Sequence, residues 1–340
     1  MIVLQYKLIK PFVIETTYND ISLSERDKVI VRPAFLSICK ADMRYYFGQR
    51  DSGILKKRLP MSLIHEASGE VMYDPSGKLE KGQKVVLLPN IAGKDEYYAE
   101  NYRLDSLFRS SRADGFMQEM IALGHNFLAP YQKGLPDEVM AFTEFISVGI
   151  HAVESFARVS GKRRDHIAVW GDGALSYVVC SILKCIFPDT VITVIGINPA
   201  KLQYFTFTDQ ALMADQIPAG AQYDHCFECV GGTGSISTIR QMIDTIQPEG
   251  TMMLLGVSED PVPVNTRMVL EKGLTIIGRS RSGKSDFLKA IELLETNSVF
   301  LGRMKHLISA SIEARGVNDI GKAFELAQTA DFKVIIKWNI

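Results

Sequence analysis

The sequence is poor in cysteine, carries almost no net charge and has no long hydrophobic run. Its five cysteines are an odd number at irregular spacing, which argues against a disulfide framework and for a reducing compartment. A formal net charge of −1 argues against a general nucleic-acid or anionic-membrane binder, although local basic pockets remain allowed. No apolar run approaches the ~20 residues of a membrane span. The N-terminus also lacks a signal-peptide pattern, so we expect a cytoplasmic protein.

The 340 residues are enough for two domains, and the pattern changes near residue 140. Before that point, short β-rich segments are separated by turns. After it, a helical pattern over 137–159 is followed by alternating strands and helices, which predicts parallel βαβ units. Five strands are expected in this part, at 166–170, 190–195, 223–229, 250–255 and 275–278. Beyond residue 283 we expect one helix, at 284–296, and one closing strand, at 333–337.

The segment Gly171-Asp172-Gly173-Ala174-Leu175-Ser176 joins the first of these strands to a helix and has the pattern G-x-G-x-x-S. The first glycine permits a tight turn, and the second lets the backbone approach a pyrophosphate at the helix N-terminus. Serine replaces the third glycine, and it is still a small residue. The segment therefore predicts a dinucleotide site in a Rossmann domain.

The end of the next strand favours NADPH over NADH. An NAD enzyme has an acidic residue there that binds the ribose 2′-hydroxyl, whereas this chain has Gly196. Glycine leaves space for a 2′-phosphate and removes a repelling charge. Asn198 and Lys201 are nearby donors; the alternative for Lys201 is an ordinary solvated helix residue.

Three potential zinc ligands lie in two short segments, with Cys39 in the first and His65 and Glu66 in the second. Thiolate, imidazole and carboxylate are the ligand types that zinc accepts, and a catalytic site uses about three of them. Each residue alone is ordinary. Their combination indicates a catalytic metal site.

Four segments together resemble the zinc-containing medium-chain dehydrogenase/reductase superfamily: residues 37–42, 64–71 and 143–152 and the Gly171–Gly173 turn. The resemblance implies an α/β protein with a GroES-like, mostly β catalytic domain over 1–147 and 284–340. A doubly wound Rossmann domain would span 148–283. In the polyol-dehydrogenase branch the ligands are similar to Cys39, His65 and Glu66, with a second glutamate near the metal that corresponds to Glu144.

Further segments resemble the ribulose-5-phosphate reductases, among them residues 59–66, 108–111, 114–118, 227–232 and 264–275. This resemblance implies NADPH-dependent reduction of D-ribulose 5-phosphate to D-ribitol 5-phosphate for CDP-ribitol, used in teichoic acids and capsules. It also implies a cytidylyltransferase partner and a homodimer. By the same likeness Cys229, Gly256 and Val257 lie beside the cofactor.

Two departures from the wider superfamily change the expected chemistry. Residues 90–115 contain no cysteine, so we expect one catalytic zinc and no structural zinc. Alcohol dehydrogenases place a proton-relaying Ser or Thr two residues after the ligand cysteine, and here that residue is Ala41. The proton must then come from water, from Glu66 or from another group.

Two basic segments could bind a substrate phosphate. One follows the strand at 275–278 and contains Arg279, Arg281 and Ser282, and the other contains Arg109. Either could instead be a solvated basic turn. The alternatives to the reductase are an NAD-linked polyol dehydrogenase, a zinc-free quinone or enoyl reductase, and a non-catalytic dinucleotide-binding protein.

Overall fold

The chain divides into two compact units, and the computed structural model describes residues 1–23 and 25–340. The first unit comprises Met1–Ser147 and Ser282–Ile340, and the second is Val148–Arg281. Among the described residues, no helix has both the length and the apolar character to cross a membrane.

The N-terminal part of the first unit is mostly β, as predicted. Its strands are β1 (Ile2–Lys10), β2 (Val13–Asp20), β3 (Lys28–Ser37), β4 (Glu66–Tyr73), β5 (Lys84–Leu87), β6 (Asn90–Ile91), β7 (Leu107–Phe108), β8 (Ile121–Gly124) and β9 (Leu128–Pro130). Its helices are α1 (Lys40–Tyr46), α2 (Ser52–Arg58), α3 (Asp137–Ala141) and the start of α4 (Thr143–Val159). The helical pattern over 137–159 is therefore two helices, because the backbone leaves helical geometry at Phe142.

The second unit alternates strands and helices. Its strands are β10 (His166–Trp170), β11 (Val191–Gly196), β12 (Gln210–Met213), β13 (Tyr223–Glu228), β14 (Ile246–Leu254) and β15 (Thr275–Gly278). Its helices after α4 are α5 (Ala174–Ile186), α6 (Pro199–Leu202), α7 (Gly234–Thr245) and α8 (Thr266–Lys272). All six strands are parallel, in the order β12-β11-β10-β13-β14-β15. This is the Rossmann order, and its switch point lies between β10 and β13.

The C-terminal segment contains more elements than predicted. It forms α9 (Lys284–Thr296), α10 (Ser298–His306), β16 (Ile308–Ala314), α11 (Val317–Thr329) and β17 (Lys333–Trp338). The expectation of one helix and one strand was wrong. The signal for α11 was present, because its buried residues Ile320, Ala323, Phe324 and Ala327 recur at helical spacing. β16 alternates exposed and partly buried residues, so its own sequence is a weak strand signal. Its parallel pairing with β17 defines it as a strand.

A seven-stranded sheet organises the first unit, in the order β16-β17-β3-β4-β5-β9, with β8 also paired to β3. The strands β17 and β4 flank β3 and run antiparallel to it. Ser37, at the end of β3, pairs with Glu66 at the start of β4 and with Ile335 in β17. The end of β3 and the starts of its two neighbours therefore meet at one edge of the sheet.

Candidate active site

The three predicted zinc ligands meet at this edge of the seven-stranded sheet. Cys39 follows β3 and precedes α1, while His65 and Glu66 stand at the start of β4. The Sγ of Cys39, a ring nitrogen of His65 and a carboxylate oxygen of Glu66 all lie within 4.8 Å of one another. His65 and Glu66 are buried, and Cys39 is partly exposed. This donor set fits a catalytic zinc site.

Asp42 organises the ligands from the first turn of α1. Its Oδ1 lies 3.1 Å from Nδ1 of His65 and accepts the N–H of Ile64 at 3.2 Å. Its Oδ2 accepts the N–H of Cys39 at 3.3 Å, and Ser110 donates its hydroxyl to Oδ1 at 2.5 Å. A carboxylate on Nδ1 fixes the ring and leaves Nε2 for a metal. Sequence reasoning missed Asp42, although its position three residues after Cys39 was visible.

The charged groups around His65 change the pKa of its imidazole ring. Burial lowers the pKa of His65, while the neighbouring Asp42 and Cys39 raise it, and the net shift is well upward. The ring is thus held in a strongly negative environment. Such an environment attracts a cation, as a zinc site requires.

Lys333, the first residue of β17, pairs with Glu66 across 267 residues of sequence. Its Nζ lies 2.6 and 2.8 Å from the two carboxylate oxygens, and both side chains are buried. The ammonium also lies 4.1 Å from the centre of the Phe145 ring. Burial lowers the pKa of Lys333 but Glu66 raises it, with a net upward shift. Lys333 therefore stays charged, and Glu66 is within reach of both this ammonium and the other two ligand atoms.

Glu144, the proposed second glutamate, is buried near the start of α4. Burial raises the pKa of Glu144 to about 7, and the charges of His65, Glu66 and Lys333 act on it. It lies outside the compact Cys39–His65–Glu66 group. In the structure Glu144 thus contributes to the electrostatics of the site, and its role as a ligand stays a prediction.

The Gly171–Gly173 turn has the geometry expected of a pyrophosphate site. Gly171 has φ +121°, and a Cβ there would lie 2.5 Å from the Ser176 hydroxyl and 3.1 Å from the Cys229 carbonyl oxygen. Gly173 precedes α5, has no side chain to cap the helix, and faces open space where a Cβ would stand. The first backbone N–H groups of α5 can therefore receive a phosphate.

The structure gives a different physical reason for Gly196 from the expected one, which was space for a 2′-phosphate. A Cβ at Gly196 would lie 2.7 Å from both Cβ and Oδ2 of Asp172. Glycine is thus required because Asp172 packs there, and the space next to it is already filled. Asn198 is the N-cap of α6, where its side chain accepts the N–H groups of Ala200 and Lys201.

Glu228 holds together two turns of the second unit that are predicted to lie beside the cofactor. Its Oε1 accepts the N–H groups of Val230 and Gly231 and the hydroxyl of Ser235, at 2.8–2.9 Å, and its Oε2 accepts the Gly256 N–H at 2.8 Å. A Cβ at Gly256 would lie 2.4 Å from Oε1. The carboxylate therefore joins the turns after β13 and β14, which carry Cys229, Gly256 and Val257. Sequence reasoning missed it.

Comparisons with known proteins agree with this arrangement. The family model of the alcohol dehydrogenase GroES-like domain matches residues 25–134, and that of the zinc-binding dehydrogenases matches residues 203–296. Ribulose-5-phosphate reductase 1 of Staphylococcus aureus is 44% identical over 335 residues, which cover 98% of each chain. The chain belongs to the ribulose-5-phosphate reductase family. The predicted α/β fold, with its GroES-like and Rossmann parts, is confirmed.

Other members and a solved structure extend the likeness along the whole chain. The ribulose-5-phosphate reductase of Bacillus spizizenii is 43% identical over 337 residues, covering 98% of each chain. The crystal structure of S. aureus TarJ in complex with NADPH superposes with a TM-score of 0.89 at 40% identity, covering all of both chains. The expected cofactors, zinc and NADPH, agree with these family members.

The four candidate phosphate ligands of this reductase-family chain are divided between the units: Arg279 and Arg281 end the second unit, and Ser282 and Arg109 belong to the first. Arg279 donates to the Ser155 hydroxyl at 2.9 Å and to its neighbour Gly278 O at 2.8 Å. Ser282 lies in the other unit, where its buried hydroxyl bonds to that of Ser147 at 2.6 Å. Arg279 and Ser282 thus already have structural partners.

Of the remaining two candidates, Arg281 has a left-handed backbone, with φ 59°, at the end of the second unit. Arg109 lies in the first unit, where it donates to the Asp114 carbonyl at 3.0 Å and covers the Phe116 ring. Burial lowers the pKa of Arg109 to about 10.

Proposed function

We propose that this protein reduces D-ribulose 5-phosphate to D-ribitol 5-phosphate with NADPH. The observation that carries the proposal is the Cys39–His65–Glu66 group in a chain 44% identical, over 98% of its length, to a ribulose-5-phosphate reductase. The donor set supplies a metal site, and the Rossmann unit supplies a dinucleotide site. Together they suit hydride transfer to a ketone.

In the proposed reaction the first unit binds zinc through Cys39, His65 and Glu66. Zinc held there would act as a Lewis acid toward the C2 carbonyl, and bound NADPH would supply the hydride. Asp42 holds the His65 ring and the backbone N–H groups of Ile64 and Cys39. Lys333 balances the charge of Glu66. Glu144 adds a buried carboxyl beside these groups, and burial raises its pKa to about 7.

In the second unit the proposed cofactor contacts follow the Rossmann topology. The N–H groups of Ala174 and Leu175, at the start of α5, face the pyrophosphate. Asn198 and Lys201 stand at the turn after β11, where the adenosine ribose binds in this fold. Cys229, Gly256 and Val257 lie on the turns that Glu228 holds together, at the nicotinamide end.

The test is the loss of NADPH fluorescence with ribulose 5-phosphate, run beside xylulose 5-phosphate and unphosphorylated ribulose. We expect the highest kcat/KM with ribulose 5-phosphate and NADPH. Equal rates with free ribulose and NADH would point instead to the polyol-dehydrogenase alternative. No turnover of any ketose, despite bound zinc and NADPH, would contradict the proposal.

We further propose that Arg281 contacts the substrate phosphate. Removing a cation that binds a phosphate costs affinity of about tenfold or more. Arg281→Ala should therefore raise KM for ribulose 5-phosphate while KM for free ribulose changes little. Arg267→Ala, an exposed arginine of α8 paired with Glu271, is the matched control. An equal effect on both ketoses would exclude Arg281 and leave Arg109 as the next candidate.

The product and the assembly are also proposals. D-ribitol 5-phosphate would pass to a cytidylyltransferase for CDP-ribitol, the precursor for teichoic acid or capsule. We also propose that the protein is a homodimer. Co-purification with a ribitol-5-phosphate cytidylyltransferase and light scattering of the pure protein test these two statements separately.

A further inference from the structure

The contact between Asp172 and Gly196 has a consequence for cofactor choice. We propose that Asp172 is a positioning residue that sets the preference for NADPH jointly with Gly196. It does so by holding the turn after β11 and by crowding the space that an acidic side chain at position 196 would need. This inference rests on the proposed NADPH-dependent function. It assigns to Asp172 a role that the G-x-G motif does not give it.

Asp172 first acts through hydrogen bonds. Its Oδ2 accepts the N–H groups of both Ile197 and Asn198 at 2.8 Å. Asn198 in turn accepts the N–H groups of Ala200 and Lys201 at 3.0 and 3.2 Å. Residue 199 is a proline and has no N–H. The backbone donors at positions 197–201 are therefore all bound by two side chains, so a ribose phosphate must be met by side-chain donors.

Asn198 becomes the central donor under this arrangement. Its Oδ1 accepts the N–H groups at the start of α6. The amide can therefore bind a phosphate only by donating from Nδ2. Asp172 fixes the backbone that carries this amide. A shift of the turn would move Asn198 and Lys201 together. Selectivity for the 2′-phosphate thus depends on Asp172 although its own carboxylate is directed at the backbone.

Asp172 also acts by occupying space. A Cβ at position 196 would lie 2.7 Å from the Asp172 Cβ, 2.7 Å from its Oδ2 and 3.0 Å from a methyl group of Leu202. Rotation of the Asp172 side chain can move the oxygen, but it leaves the Cβ in place. The acidic residue that NAD enzymes carry at this strand end therefore requires the backbone at residue 172 or residue 196 to shift.

The test is a set of variants at positions 172 and 196, with Kd for NADPH and NADH measured by direct titration without substrate. Gly196→Asp alone should weaken NADPH binding by about tenfold or more without a gain for NADH, and should lower Tm. Adding Asp172→Gly removes the Cβ and should tighten NADH binding by about tenfold over the single variant. Adding Asp172→Ala to Gly196→Asp instead keeps the Cβ, so NADH binding should stay as weak as in Gly196→Asp alone.

Two further variants separate positioning from packing. Asp172→Ala alone removes the acceptor and should raise Kd for NADPH by about tenfold. Asp172→Asn retains an acceptor oxygen and should recover most of that loss. If Gly196→Asp does not fold, Gly196→Ala with and without Asp172→Gly carries the same test, with Tm and the ratio of the two Kd values as readouts.

Clear results would overturn the inference. One is a Gly196→Asp variant that binds NADH as well as the double variant with Asp172→Gly. Another is equal rescue by Asp172→Ala and Asp172→Gly, because then the Cβ contact is not the obstacle. Failure of the proposed function would look different, since the wild-type protein itself would then bind no NADPH or reduce no ribulose 5-phosphate.

Discussion

Replacing Lys333 by methionine should strongly destabilise the first unit. The Nζ of Lys333 lies within 2.8 Å of both oxygens of Glu66, and the two side chains are 5% and 0% exposed. An exposed ion pair contributes only about 0–1 kcal/mol. Removing one partner of a buried pair instead leaves an uncompensated buried charge, at a cost of about 3–5 kcal/mol. We expect a loss in this range for the zinc-depleted Lys333→Met protein.

The measurement is urea unfolding followed by tryptophan fluorescence. Trp338 lies on β17 in the first unit, and Trp170 lies on β10 in the second. In a Trp170→Phe background, the signal therefore reports on the first unit alone. Lys337→Met is the matched control, because Lys337 is exposed on the same strand and its replacement should change stability by no more than about 0.5 kcal/mol.

Two comparisons link this loss to the buried charge. The double variant Lys333→Met with Glu66→Gln removes both charges and should recover most of the stability. Zinc should also reduce the loss of stability, because the bound metal replaces the positive charge that Lys333 no longer places beside Glu66. A loss below about 1 kcal/mol, or a double variant no more stable than the single one, would refute the reasoning.

Three further predictions test the proposed residues. Cys39→Ser should lower zinc content and reductase activity together, and full activity in a zinc-free variant would contradict the proposed chemistry. Asp42→Asn should weaken zinc binding about 10–100-fold in a chelator competition, because it loosens His65; an unchanged zinc Kd would count against this role. Glu228→Gln places an amide donor among four donors and should raise Kd for NADPH by about tenfold or more, with zinc content unaffected. Unaltered NADPH titration would show that the turns after β13 and β14 do not depend on it.

Local patterns in the sequence were sufficient for the fold class and for the chemistry of the metal site. Strand-helix alternation and the Gly171–Gly173 turn are short-range signals, and they predicted the parallel sheet of the second unit. Cys39, His65 and Glu66 are recognisable by residue type and by family likeness. The structure then brought them within 4.8 Å, because β3 and β4 pair so that Ser37 faces Glu66.

The tertiary structure alone decided which groups surround these residues. Lys333 reaches Glu66 across 267 residues because β17 pairs with the other side of β3, a register that no local pattern encodes. The surroundings of Gly196 are likewise set by the tertiary structure, because Asp172, in the turn after β10, fills the space where a side chain would stand. Residue types determine which chemistry is available. Strand pairing determines which charges and atoms meet, because packed side chains are placed by contacts distant in sequence.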